Sequence, residues 1–171
     1  MSKSKNDKIH IFCDMDGVLV NFLDHFIEYK GYDIRTIKKH ESYKIISSLP
    51  IEWWETIPWM KDSKILWKYL SDNFINLNIL SSPSSDKQQK SRKGKIKWLK
   101  KEGIFDQIGE DNCIIAENKH HYVVDGEISI LIDDTPKKIN SWIKAGGIGI
   151  LHKTASETIE SLLYIIKRIK V

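Results

Sequence analysis

The chain has 171 residues, 41% hydrophobic and 29% charged, with a net charge of +4. That length suits one domain with a sizeable core and a small insertion, and the balance is that of a globular chain rather than a disordered or membrane one. No apolar run approaches the roughly 20 residues of a membrane span, and the polar start MSKSKNDK lacks the apolar centre of a signal peptide, so we expect a cytoplasmic protein with no membrane partner.

Lys8 to Cys13 is a β-favouring run that stops abruptly at Asp14-Met15-Asp16-Gly17, which predicts a buried strand and a turn. Asn21 is placed to cap a helix carrying Phe22, Leu23, Phe26 and Ile27 on one face, with Gly31 as its stop. Residues 32–62 lose periodicity and are rich in aromatics and prolines, so 21–62 reads as a partly helical insertion. Asp62 or Ser63 opens a helix with Ile65, Leu66, Tyr69 and Leu70 inward, leading to a second strand at Ile75 to Leu80.

That strand ends in the turn cluster Ser81-Ser82-Pro83-Ser84-Ser85, before a basic helix of about Gln88 to Glu102. Cys113 to Ala116 and Ile128 to Ile132 are the next strands; Cys13 and Cys113, without zinc or disulfide spacing, read as reduced core residues. Thr135-Pro136 marks a helix start with Ile139, Trp142 and Ile143 inward. Ile148 to Leu151 is a fifth strand, and Thr154 with Glu157 suggests a capping box before a helix with Ile159, Leu162, Leu163 and Ile166 on one face. Strands alternating with helices imply an α/β fold, a Rossmann-like parallel sheet with helices on both faces. Its core is expected at 1–20 and 63–171, with 21–62 as a small, mainly helical cap.

In such sheets ligands bind beyond the carboxyl ends of the strands, which would bring Asp14, Asp16, Ser81, Ser82, Asp133 and Asp134 to one crevice. Aspartates separated by one residue, joined by an adjacent aspartate pair, suit a hard divalent cation with oxygen ligands. With that cation offsetting their repulsion, one carboxylate can act as nucleophile and another as acid and base.

IFCDMDGVLV resembles the first motif of the haloacid dehalogenase-like (HAD) superfamily, LSSPS its second and ILIDDTP its fourth. The resemblance implies a Mg²⁺-dependent phosphatase in which Asp14 forms an aspartyl-phosphate, Asp16 is the acid and base, and Ser81, helped by Ser82, binds the transferring phosphoryl. Asp14, the Asp16 carbonyl, Asp133 and Asp134 would surround the metal, one of the last two directly and the other through water or a lysine. The third motif requires a lysine, for which Lys119 and Lys95 compete. A carboxylate at Asp16 favours phosphatase over dehalogenase chemistry, because an alkoxide leaving group needs a proton.

Asn21-Phe22 after motif one, the short insertion, Ser-Pro in motif two and Lys95 with Trp98 look closest to the 5′(3′)-deoxyribonucleotidases, although Ser81 stands where that subgroup usually has threonine. This likeness implies a nucleoside monophosphate substrate and makes Phe22, Trp53, Trp54 and Trp59 candidates to stack on its base, with Lys95 as a further substrate contact. The oligomer is open between monomer and homodimer. Alternatives are a polynucleotide-end phosphatase using the basic helix, a sugar-phosphate phosphatase, and a non-catalytic binding protein. His120 and His121 read as loop residues, and Gly146 to Gly149 as a helix stop entering a strand.

Overall fold

The computed structural model describes residues 8–84, 87 and 89–169. Ser85 and Gln88, which belong to the anticipated turn cluster and helix start, lie outside the described residues. Five strands, β1 (Ile9–Cys13), β2 (Asn76–Ser81), β3 (Cys113–Ile115), β4 (Ile128–Asp133) and β5 (Ile148–Leu151), form one sheet in the order β3-β2-β1-β4-β5. Every neighbouring pair is parallel. This is the expected Rossmann-like α/β architecture.

The two-residue period of the strands divides the core. Ile11, Cys13, Leu77, Ile79, Ile130 and Ile132 face the larger apolar cluster, while Phe12, Leu80 and Leu131 face a smaller one built with Ile139 and Trp142. The larger face is covered by α4 (Ser63–Asn73), α5 (Lys90–Lys101), α6 (Ile104–Ile108) and α8 (Ala155–Ile169); α7 (Pro136–Lys144) covers the other. Burial on both sides explains why the central strands read as nearly continuous apolar runs.

Residues 21–62 contain α1 (Phe22–Lys30), α2 (Lys39–Ser48) and α3 (Ile51–Glu55). Asn21 Oδ1 accepts from Asp24 N, and Gly31 closes α1 in the left-handed region, both as expected. The outgoing and returning legs of this segment are tied together: Asn21 N donates to Pro58 O and Met60 N to Leu19 O, each at 2.8 Å. Helix α3 then packs on α5 at Gly94, where an added Cβ would lie 2.3 Å from Trp54 Cβ and 2.7 Å from Ile51 O.

Three apolar residues expected to face inward do not: Ile65, Ile143 and Leu163 are each at least half exposed. Each adjoins a residue that is buried, Leu66, Trp142 and Leu162, and successive helical residues point about 100° apart, so one of each pair wins the core. Thr135 occupies the cap position of α7, but its hydroxyl caps nothing; it donates to Asp134 Oδ1, while Thr135 N donates to Asp133 Oδ1. Asp62 likewise leaves α4 uncapped and accepts from Ala155 N, at the start of α8. Thr154 Oγ1 accepts from Glu157 N, one half of the anticipated capping box.

Candidate active site

Strands β1 and β4 are adjacent and in register, Cys13 beside Ile132 and Asp14 N donating to Ile132 O, so their last residues emerge side by side. Asp14, Asp133 and Asp134 each offer a carboxylate oxygen within 4.8 Å of the other two. The Asp-Met-Asp-Gly turn folds back on itself through Val18, Leu19 and Val20, whose amides all donate to Met15 O. Gly17 has φ +75, and an added Cβ would sit 2.1 Å from Asp134 Oδ2. Only glycine allows both the left-handed turn and this close approach of Asp134.

Two buried lysines converge here from different elements. Lys119, on a short 3-10 turn (Lys119–Tyr122) that also holds His120 and His121, places Nζ 2.9 Å from Asp14 Oδ1 and 2.6 Å from Asp133 Oδ2. Lys95, from α5, donates to Asp16 Oδ2 at 2.6 Å, Ser81 Oγ at 2.9 Å and Ser82 O at 2.8 Å, and its Nζ lies 5.4 Å from the Trp54 ring centroid. The two lysines occupy separate positions, Lys119 between Asp14 and Asp133, and Lys95 between Asp16 and the end of β2. A third cation, Lys138 on the first turn of α7, approaches Asp14 Oδ2 to 3.9 Å. Sequence reasoning missed it, although its place two residues beyond the Thr135-Pro136 start carries the signal.

These charges set the protonation of the floor. Burial pushes the Asp14 carboxyl up, but Lys119, Lys138 and Lys95 outweigh it and hold the group well below the usual carboxylate range. Asp133 is raised by burial and by Asp14, against the pull of Lys119. Asp134 is pushed up to about 6 by burial and by the charges of Asp14 and Asp133. Burial lowers Lys119, yet Asp14 and Asp133 raise it further, so it stays an ammonium. With Asp16, four carboxylates face three lysines.

A cavity of about 810 Å³ opens above this floor. Asp14, Asp16, Gly17, Ser82, Asp134 and Lys138 line its base; Ser82 Oγ is buried there without a hydrogen-bond partner among the described residues. Ser81 is fully buried and stands behind the wall on Lys95, so the cavity face of this turn belongs to Ser82. The walls come from residues 21–62: Phe22, Ile34, Tyr43, Ile46, Trp54 and Met60, with Asp24 and Arg35 as polar members. Of the aromatics expected to surround a substrate, Phe22 and Trp54 line the cavity. Trp53 does not: it packs in the segment's own core against Phe22, His25, Phe26 and Trp54. Trp59 also turns away, its Nε1 donating to Glu102 and its ring 4.9 Å from that of Trp98. Tyr43, Met60 and Arg35 were not anticipated, because residues 32–62 carry no periodicity that assigns a face.

Three carboxylates within reach of one ion, gathered in a partly buried pocket and only partly offset by lysine, fit a hard divalent cation. No protein-family model matches this chain, and neither does any curated protein. Among solved structures it is similar to a hydrolase from Streptococcus pneumoniae TIGR4, at 12% identity and a TM-score of 0.50, over 91% of this chain and 98% of that one. Weaker likenesses, both at a TM-score of 0.42, are to a protein of Burkholderia xenovorans LB400 described as haloacid dehalogenase-like (12% identity, 81% and 79% covered) and to a phosphonoacetaldehyde hydrolase like protein of Oleispira antarctica (9% identity, 85% and 72% covered). The first likeness is one of fold: a five-stranded parallel α/β sheet, at almost the full length of both chains.

Proposed function

We propose that this chain is a Mg²⁺-dependent phosphomonoesterase of the HAD type, acting on nucleoside monophosphates. The observation that carries the reading is the meeting of Asp14, Asp133 and Asp134 beside Lys119, at the base of a cavity with aromatic walls. Asp14, Asp134 and the Asp16 carbonyl would hold the cation, with Asp133 tied back by Lys119. Bound there, a divalent cation supplies the charge neutralisation that lets a phosphate dianion approach a carboxylate.

Asp14, kept ionised by its lysines, attacks phosphorus in line, and the bond from phosphorus to the ester oxygen breaks. Asp16 accepts from Lys95 on Oδ2 and has Oδ1 free of hydrogen-bond partners among the described residues, so Oδ1 carries the proton delivered to the leaving alkoxide. Water then attacks the aspartyl-phosphate, Asp16 takes its proton, and inorganic phosphate leaves with Asp14 restored. Lys138 and Ser82, which line the cavity base, bind phosphoryl oxygens, while Lys95 and Ser81 brace the turn that carries Ser82. We read residues 21–62 as a cap: Phe22 and Trp54 present aromatic surface to a base, and Asp24 and Arg35 offer polar partners to its edge.

Phosphate release from a panel of nucleoside and sugar monophosphates, with and without Mg²⁺, tests this. Cleavage of nucleotides that stops on chelation is the expected result. Cleavage of sugar phosphates alone overturns the nucleotide assignment, and no cleavage of any ester overturns the phosphatase reading.

A further inference from the structure

The two edges of the sheet are finished differently. β3, at one edge, is three residues long and is flanked by the exposed carboxylates of Glu110, Asp111 and Glu117. Short length and flanking charge are the usual means of keeping an edge strand from pairing. β5, at the other edge, carries no charged residue from Gly146 to Leu151; the nearest in sequence are Lys144 and Lys153. Three large apolar side chains stand exposed around it, Ile143 at 50%, Leu151 at 43% and Tyr164 at 60%.

The register of β5 on β4 fixes which of its backbone groups face outward. His152 N donates to Asp133 O, toward β4, so the alternation of the strand turns the amides and carbonyls of Gly149 and Leu151 to the open side. No strand pairs with β5 on that side among the described residues. Gly149 faces α7, where an added Cβ would lie 2.6 Å from Ile139 and 3.3 Å from Ile143, and Leu151 emerges on the same face. On the opposite face a groove of about 550 Å³ runs between β5 and α8, with Glu160 and Tyr164 along it.

The exposed side of α8 is polarised along its length. Glu157 and Glu160 lie in its first half, Tyr164 follows, and Lys167 and Arg168 come last, with Arg168 Nη1 donating to the Tyr164 hydroxyl. None of the four charged side chains takes part in an ion pair among the described residues. Such a helix complements an antiparallel copy of itself.

We propose that the chain forms a homodimer through β5, its sheet continuing across a two-fold axis that passes by Ile150 perpendicular to the strands. β5 then pairs antiparallel with its own copy, and Gly149 exchanges both hydrogen bonds with Leu151 of the second copy. That Leu151 enters the space left by the missing side chain of Gly149, against Ile143. The same axis sets the two α8 helices antiparallel on one face of the sheet, so the glutamates of each meet the basic end of the other. Self-complementarity in strand, side chain and charge is what an isologous interface requires. The proposal stands independently of the phosphatase reading.

Sedimentation velocity of the full chain between about 5 and 300 µM, a range that covers weak to moderate association, should show monomer giving way to dimer. Leu151→Lys places an ammonium on the pairing edge, and E157K/E160K or K167E/R168E sets like charges against each other across the axis. Each should raise the dissociation constant of the dimer by at least about tenfold while the circular dichroism spectrum stays that of the parent. An equimolar mixture of E157K/E160K with K167E/R168E pairs an all-basic α8 with an all-acidic one, and it should recover the dimer, a result that damage to the fold cannot produce. A parent chain that stays monomeric throughout the range would overturn the proposal. So would a dimer indifferent to Leu151→Lys and to both reversals, which would lie on another surface, and so would a mixture that remains monomeric.

Discussion

At the ends of β1 and β4, side chains are fixed by charge: Lys119 sits 2.9 Å from Asp14 and 2.6 Å from Asp133, all three buried. Residues 21–62 above them are held by rings, with Trp53 between Phe22 at 5.3 Å and Trp54 at 5.0 Å, both edge-on. The floor can change little without leaving a buried charge unpaired, whereas the aromatic walls can repack at modest cost. On the proposed phosphatase reading, the floor needs fixed donors and charges, and a wall that accepts a variable leaving group tolerates adjustment.

The sharpest way to break this contrast is at the floor. On the proposed mechanism, Asp14→Asn should lower phosphate release by at least roughly 10³-fold, as removal of a nucleophile does elsewhere, with the fold retained because Lys119 keeps Asp133. Steady-state kinetics and thermal melting on the same preparation check both halves. Lys119→Met is expected to damage both, since it strands Asp14 and Asp133 as buried carboxylates without a partner; breaking such a pair costs about 3–5 kcal/mol. Denaturant titration would show this, and a variant as stable as the parent would mean that Lys119 is not the charge that holds the floor together.

The same contrast explains what could be read from the amino acids alone. Asp14, Asp16, Asp133 and Asp134 were legible because a strand period of two and parallel pairing fix where each strand ends, and apolar runs stopping at acidic residues are visible one strand at a time. Lys95 and Lys119 were legible as candidates but not as a pair with separate stations, since that depends on how α5 and the 3-10 turn dock. The wall was not legible. Trp53 and Trp54 are neighbours of identical chemistry, and only the docking of α3 on Gly94 sends one toward the cavity and the other into the segment's own core. Ile65, Ile143 and Leu163 show the same limit on a smaller scale, because an apolar pair adjacent on a helix does not say which member the core takes.

Two glycines sharpen the comparison from either side. Gly17→Ala forces a left-handed φ on a residue with a Cβ, about 1–2 kcal/mol, and drives that Cβ into Asp134. It should therefore weaken Mg²⁺ activation more than its loss of stability alone accounts for, read as a rise in the Mg²⁺ concentration needed for half-maximal activity. Gly94→Ala crowds Trp54 and Ile51 O where α3 meets α5, an overpacking expected to cost about 1–3 kcal/mol. Because the strain falls on the wall, KM for the proposed substrate should rise more than kcat falls. An equal effect on both would show that α3 and the floor move as one unit.

The smallest expected effect lies away from the site, at His152 just beyond β5. Its ring is buried, Nδ1 lies 2.8 Å from Thr158 Oγ1, and Nε2 has no hydrogen-bond partner among the described residues. Burial lowers its pKa below the ordinary 6.5, against the opposing influence of Asp62 and Glu157. Below about pH 6.5 the unfolded chain takes up a proton on this imidazole that the folded protein resists, so stability falls as the pH drops through that range; above it both states are neutral and the residue contributes no slope. His152→Gln should flatten this part of the stability profile, measured as melting temperature between pH 7.5 and 5. Asp134, pushed up to about 6, also titrates on the acid side, so the decisive reading is the difference between the variant and the parent: identical slopes from pH 6.5 downward would mean that the imidazole protonates in place without loss of fold.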